Sequence, residues 1–493
     1  MNNFELLIPS LYFGGIALAL AVVLVLVQAV FLEVEHRWGR WVVPSVLPLM
    51  VLGIAAAVLL GGRNLKYAAL DLRTIGGQIG EGGGILRVIT VTVLALCFAK
   101  VLGQGVRNLK ARTAARRMEG NEQDGRAFAL FFSLLAYFVC TVILPAAFGA
   151  KPVFIHNNFY SVFVFIALYM ARKEPLGPLL AGVKYSLALM MLGSLVLAVV
   201  KRDMAIQPYS VGWVPGLTIR LWGLGSNPNS IGPLALMLVM LELMRPTRNS
   251  VLKIIVWMLA LTVMALAQSK TVWLATGVAS LLVVAYRYGR TPRGGLKLGF
   301  VLLLILAAAL AALSLLFIDF DRIYSKLALT QAGTDFSTAS GRMQIWLAAI
   351  NVWEDSPMFG YGPLAWGPEH RAVLGMPFAF HAHNQFFQAL SASGIFGFLS
   401  LIVYFVLLGI ASLRAAESSH GMSLALFAFV ALRCVSEAPL ELSGLTSAEL
   451  VMHALLFAVV INNPLRVEAK VRSVTEGLYA GRRALPQAAN LGT

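Results

Sequence analysis

The chain has 493 residues, 59% of them hydrophobic and only 13% charged, with a mean hydropathy of +0.79. Soluble proteins carry about a quarter charged residues, so this composition excludes a disordered chain and a soluble multidomain enzyme. Lys and Arg exceed Asp and Glu by 39 to 23, a net charge of +16; the excess sits in short loops between apolar runs, which orients membrane helices and points to no nucleic-acid partner.

Apolar runs follow one another near 7–32, 41–61, 85–103, 127–149, 155–171, 176–200, 229–244, 251–268, 271–287, 298–318, 384–409, 421–436 and 448–463. They predict an all-α polytopic membrane protein with roughly 12–13 transmembrane helices, some shorter than the ~20 residues of a perpendicular crossing. Short spans are tolerated where they face protein or a water-filled cavity. Residues 7–32 are too long for a signal peptide and lack a small-residue cleavage site, so no cleaved leader is expected. Cys97, Cys140 and Cys434 stand singly in apolar runs and support neither a disulfide framework nor a zinc site.

Basic residues mark one face. They lie in 104–126, at Arg172-Lys173, in 245–253, in 287–297 and in the tail after 464. With these loops cytoplasmic, 62–84, 201–228, 268–271, 319–383 and 437–447 fall on the opposite face. The N-terminus also falls outside if every run spans. Residues 1–493 are expected to form a single transmembrane domain, with 319–383 as an external loop subdomain. That loop is too long to be structureless. Within it, Met343, Trp346, Ile350 and Trp353 recur at helical spacing behind Ser340, a candidate N-cap, and 357–363 forms a turn.

Ionisable residues on this outer face are the candidates for chemistry. Lys270 lies in AQSKTVW, a tight connection where a snorkelling lysine is the ordinary explanation. Arg220 precedes a helix opened by Asn-Pro-Asn-Ser, in which Asn227 or Asn229 would be the cap; an arginine beside a helix N-terminus makes an anion site. Arg342, in the first turn of the loop helix, opposes the helix dipole; an ion pair with Asp335 or Glu354 would account for it structurally. His381 and His383 form a His-x-His pair followed by Asn384, at the mouth of a span. The nearest acid in sequence is Glu369, so no metal is expected. An imidazole suits general-base work near neutral pH. Three cations and an imidazole, without a carboxylate pair or a phosphate-binding glycine loop, suggest displacement of a lipid pyrophosphate by an alcohol rather than glycosidase chemistry.

HAHNQFFQALSASGIFG at 381–397 resembles the His-Asn…Gln…Gly…Gly signature of the O-antigen ligase and O-antigen polymerase superfamily. SGRMQIW resembles its loop Ser-Gly-Arg…Trp motif, and GLGSNPNSIG its Asn-Pro-Asn segment. AQSKT stands where relatives usually carry Ser-Arg, so Lys270 keeps the charge without the planar fork. The resemblance implies a cofactor-free, metal-independent glycosyltransferase of the GT-C type in the bacterial inner membrane, facing the periplasm, with its catalytic motifs in the 319–383 loop. It implies an O-antigen ligase. The donor would be undecaprenyl-pyrophosphate-linked polysaccharide and the acceptor the lipid A core oligosaccharide, both held among membrane lipids. His383 matches the family's essential histidine, Arg342 the loop arginine and Lys270 the cationic site. His383 would be the base; Arg342, Lys270 and Arg220 would hold the pyrophosphate; Asn384, Asn229 and His381 would support them. Runners-up are an O-antigen polymerase, a protein O-oligosaccharyltransferase and, in another class, a lipid-linked glycan transporter.

Overall fold

The computed structural model describes residues 3–65, 83–114, 122–209, 216–289, 297, 342–377, 379–442 and 444–462. The principal helices are α1 (Asn3–Gly61), α2 (Gly84–Ala114), α3 (Glu122–Phe138), α4 (Tyr160–Met170), α5 (Gly177–Val200), α6 (Pro228–Met244), α7 (Ser250–Ala267), α8 (Lys270–Tyr288), α9 (Arg342–Glu354), α10 (Gln385–Arg414), α11 (Met422–Cys434) and α12 (Ala448–Ile461). Among the described residues, six helices are long and apolar enough to cross a membrane, and α6, α8, α11 and α12 are shorter apolar helices. The protein is an all-α polytopic membrane protein. The run expected at 298–318 lies outside the described residues.

The short helices sit at the centre. In α6, every residue from Ser230 to Glu242 is buried, and α12 is nearly as enclosed. A helix apolar all round belongs in a core, and protein neighbours relieve it of having to cross lipid alone. Its neighbours are α5, α7, α8 and α12. The runs 7–32 and 41–61, expected as two spans, form one 59-residue helix instead. Residues 33–40 contain helix formers, including the Arg37–Glu33 pair one turn apart, and no proline to end it.

Side-chain contacts gather connections at two ends of the bundle. At one end Lys100 and Arg107 pair with the buried Glu35, Lys100 also with Glu174, and Asn462 donates to Glu174 O at 2.7 Å. At the other, Arg63 donates to the carbonyls of Met204, Gly223 and Gly225, tying the end of α1 to the 201–228 connection. That connection carries a two-stranded antiparallel ribbon, β1 (Ile206–Pro208) with β2 (Ile219–Leu221), in which Gln207 faces Arg220.

Two irregular turns shape this second end. α3 widens into a π-turn at Val139–Ile143, next to Pro145, which lacks an N–H. α10 breaks at Gly394 (φ 63°, ψ −162°), a conformation open only to glycine. The freed carbonyls of Ser391 and Ala392 accept from Tyr361 and Gly362 N–H at 2.9 and 3.0 Å, so the 357–363 turn is sewn onto the break. In α9 the buried face is Ile345, Ala348, Ala349 and Val352, whereas Met343 is exposed. The helix expected from the spacing of Met343, Trp346, Ile350 and Trp353 is present, and its core face is a different set of residues. Alanines let α9 approach α10 closely, and Trp346 lies at the edge of that contact, stacked on Phe387 at 5.5 Å.

Candidate active site

The helices α6, α8, α9 and α10 are among those that begin at this second end. Residues at or near these N-termini, with their positive dipole ends, contribute to one cluster. Asn227 is the N-cap of α6, with its N–H donating to Ser230 Oγ at 3.4 Å, which leaves Asn229 free to point elsewhere. α7 ends at Gln268 in a left-handed conformation (φ 49°). Gln268 Nε2 then donates to Ile219 O at 2.7 Å and pins β2. Arg220, on β2, donates from Nε to Ala267 O and from Nη2 to Asn229 Oδ1, both at 3.0 Å.

Glu437 is the centre of the cluster. It is 5% exposed, in the connection between α11 and α12. Asn229 Nδ2 donates to its Oε1 at 2.9 Å, and Arg342 Nη2 lies 3.4 Å from the same oxygen. His381 Nε2 and His383 Nδ1 each lie 3.2 Å from Oε2. Arg342 thus pairs with Glu437 rather than with Glu354; Asp335 lies outside the described residues. This carboxylate is not among the candidates the sequence offers. Its signal was chemical: cations gathered in a recess require a counter-charge.

The two histidines differ in what their rings have left to offer. A carboxylate only accepts, so each ring donates an N–H to Glu437. In His381 the remaining nitrogen, Nδ1, accepts the His383 backbone N–H at 3.0 Å, and both ring nitrogens are engaged. His383 has a positive φ of 48°, and its Nε2 has no hydrogen-bond partner among the described residues. It is the one ring with an available lone pair. Asn384 caps α10 by accepting from Phe386 and Phe387 N–H at 2.9 and 3.3 Å, and donates to Val435 O at 3.3 Å. It joins the histidine pair to the strand of chain that bears Glu437.

Lys270 follows Ser269, whose Oγ lies 3.4 Å from Asn229 Oδ1. Its own side chain is exposed and pairs with no acid among the described residues. The structure brings Arg220, Asn229, Arg342, His381, His383 and Asn384 together and leaves Lys270 at the edge.

His381, His383 and Glu437 offer three ligand atoms within 4.8 Å of one another. The sequence argument against metal, that no acid lies near the histidines, therefore fails on Glu437. Arg342 and the Arg220–Asn229 pair occupy the same carboxylate's other oxygen, however, and supply the positive charge a divalent ion would bring.

Burial disfavours the charged form of Glu437, yet the hydrogen bonds from His381 and His383 outweigh it and hold the carboxyl well below its ordinary range. Burial, followed by His381, pulls His383 below its ordinary 6.5, against the upward pull of Glu437. His383 is then neutral at pH 7 and able to accept a proton. The acidic limb of a rate profile governed by His383 therefore lies below pH 6.5. Glu437→Gln removes an interaction that favours the imidazolium, so it should move that limb to still lower pH while slowing turnover. A pH–rate profile of both proteins checks this, and a limb unmoved by Glu437→Gln would detach Glu437 from His383.

Residues 254–402 match the family model described as O-antigen ligase. No curated protein matches the chain. The match makes this segment, under a third of the chain, similar to O-antigen ligases. The matched segment includes Lys270, Arg342, His381, His383 and Asn384. Arg220, Asn229 and Glu437 lie outside it and reach the cluster only through the fold.

Proposed function

We propose that the protein is an O-antigen ligase: it transfers polysaccharide from undecaprenyl pyrophosphate to a sugar hydroxyl of the lipid A core, at the periplasmic face of the inner membrane. The observation that carries this reading is the His383 ring, held at Nδ1 by a buried carboxylate beside two arginines, with Nε2 unpartnered among the described residues. His383 takes the proton of the acceptor hydroxyl as that oxygen attacks the anomeric carbon. Arg342 and Arg220, with Lys270 at the rim, receive the charge that develops on the departing pyrophosphate. Glu437 fixes the His383 tautomer and stabilises the imidazolium that forms. One displacement inverts the anomeric centre. A GT-C-type catalyst of this kind needs neither nucleotide nor cofactor.

The test is transfer by the purified full-length protein from lipid-linked glycan, with lipid A core, a second glycan-lipid or a Ser/Thr peptide offered as acceptor. Lipid A core is expected to be the acceptor used. Product only on the second glycan-lipid would make the protein a polymerase, and only on peptide a protein oligosaccharyltransferase. No product on any acceptor, with the lipid-linked glycan moved across the bilayer, would make it a transporter. The same assay checks the metal. Arg342 and Arg220 already serve as the cations, so EDTA should leave the rate within about twofold, well below the ~10²-fold attached to one lost oxyanion donor. Loss of activity restored by one divalent ion would contradict the scheme.

A further inference from the structure

A second recess, of about 210 Å³, lies beside the cluster and is walled by different residues. Its polar lining includes Asn158, Trp366, Gln385, Gln388 and Glu441, with Tyr137 and Thr141 from α3 and its π-turn. Gln385, Gln388, Trp366 and Tyr137 are all buried. Buried polar side chains around an open volume require partners there. Several are already committed: Gln385 Oε1 accepts Leu440 N–H at 2.7 Å, and Trp366 Nε1 donates to Ser391 Oγ at 3.2 Å. Two are not. The half-buried Asn158 side-chain amide has no hydrogen-bond partner among the described residues, and the half-buried Glu441 has only a long contact, 3.4 Å from Gln388 Nε2, so both can offer polar atoms to a ligand.

None of the residues lining this recess is a cation. That separates it from the cluster at Glu437. A carboxyl group would repel a phosphate, whereas amides, a carboxyl and an indole are the groups that hold sugar hydroxyls and the apolar face of a pyranose. The volume is below the ~300–1,000 Å³ of pockets for drug-sized molecules, which suits a single ring. Its wall is also the support of the base: Gln388 Oε1 accepts the Ala382 N–H at 2.8 Å, between the two histidines.

Building on the transfer reading above, we propose that this recess is the acceptor subsite and takes one neutral pyranose unit, held by Asn158 and Glu441 against Trp366. Gln388 is shared between the wall of this recess and the support of the histidines, so a ring seated there adjoins the segment that bears His383, while the charged leaving group stays with the arginines.

The experiment measures steady-state transfer by the full chain, and separately the saturation-transfer NMR signal of a lipid-free core oligosaccharide. Asn158→Ala and Glu441→Gln should each raise the acceptor KM at least tenfold. Donor KM and kcat should stay within about twofold, in protein that elutes as the wild type does. The oligosaccharide should show saturation transfer on the wild type that both variants lose. Unchanged acceptor KM, or a signal that persists in both variants, would overturn the subsite. Saturable binding lost in the variants, without transfer by the wild type to any acceptor, would leave the subsite standing and overturn the ligase reading instead.

Discussion

His383→Ala is expected to lower glycan transfer by ~10²–10⁴-fold, the range a positioned general base contributes, with the protein still folded and inserted. The expectation rests on one asymmetry. His383 and His381 touch the same carboxylate oxygen, but only His383 keeps a nitrogen free for substrate. His381→Ala should cost considerably less, because it removes a backbone prop under the left-handed His383 rather than the base itself. Turnover of each variant at saturating donor decides it. Equal losses would mean that the pair acts as one structural unit, and near-normal turnover by His383→Ala would remove the histidine from the mechanism.

The arginines carry the second large effect. Removing one donor aimed at a developing oxyanion costs about 2.7–4 kcal/mol, so Arg342→Ala should lose at least about a hundredfold in turnover. Arg342→Lys should recover little, because the lysine keeps the charge without the planar fork. Lys270→Arg should be tolerated, since this side chain is exposed and outside the hydrogen-bonded cluster. Arg248 and Lys253, exposed at the opposite end of the bundle, are the controls for net charge. A double Arg248→Ala/Lys253→Ala variant that slows transfer as much as Arg342→Ala would make bulk electrostatics the explanation.

How much of this was legible in the sequence depends on distance along the chain. His383 and Asn384 are adjacent, and the hydroxyl-activating histidine with its helix cap is a local pattern. Arg220, Asn227 and Asn229 were legible for the same reason, although only the fold decides that Asn227 caps α6 and Asn229 turns to Glu437. Glu437 was not legible: it lies 54 residues beyond His383, across two helices, in a connection with no motif of its own. Spacing alone marks the α9 helix, but not its buried face: close helix packing favours Ala348 and Ala349 with Ile345 and Val352 over the larger Met and Trp side chains. In α1, a polar interruption between apolar runs was taken for a loop, and its helix-forming residues carried the helix through.

In the proposed mechanism a neutral His383, held by Glu437, drives one displacement at the anomeric carbon while the arginines retain the pyrophosphate. The most direct test follows a defined lipid-linked glycan with the purified protein, in EDTA and without nucleotide. It measures both the undecaprenyl pyrophosphate released and the anomeric configuration of the new linkage. The account predicts one undecaprenyl pyrophosphate per linkage formed, an inverted anomeric centre and no product from His383→Ala. A retained configuration, or full turnover by His383→Ala, would contradict it.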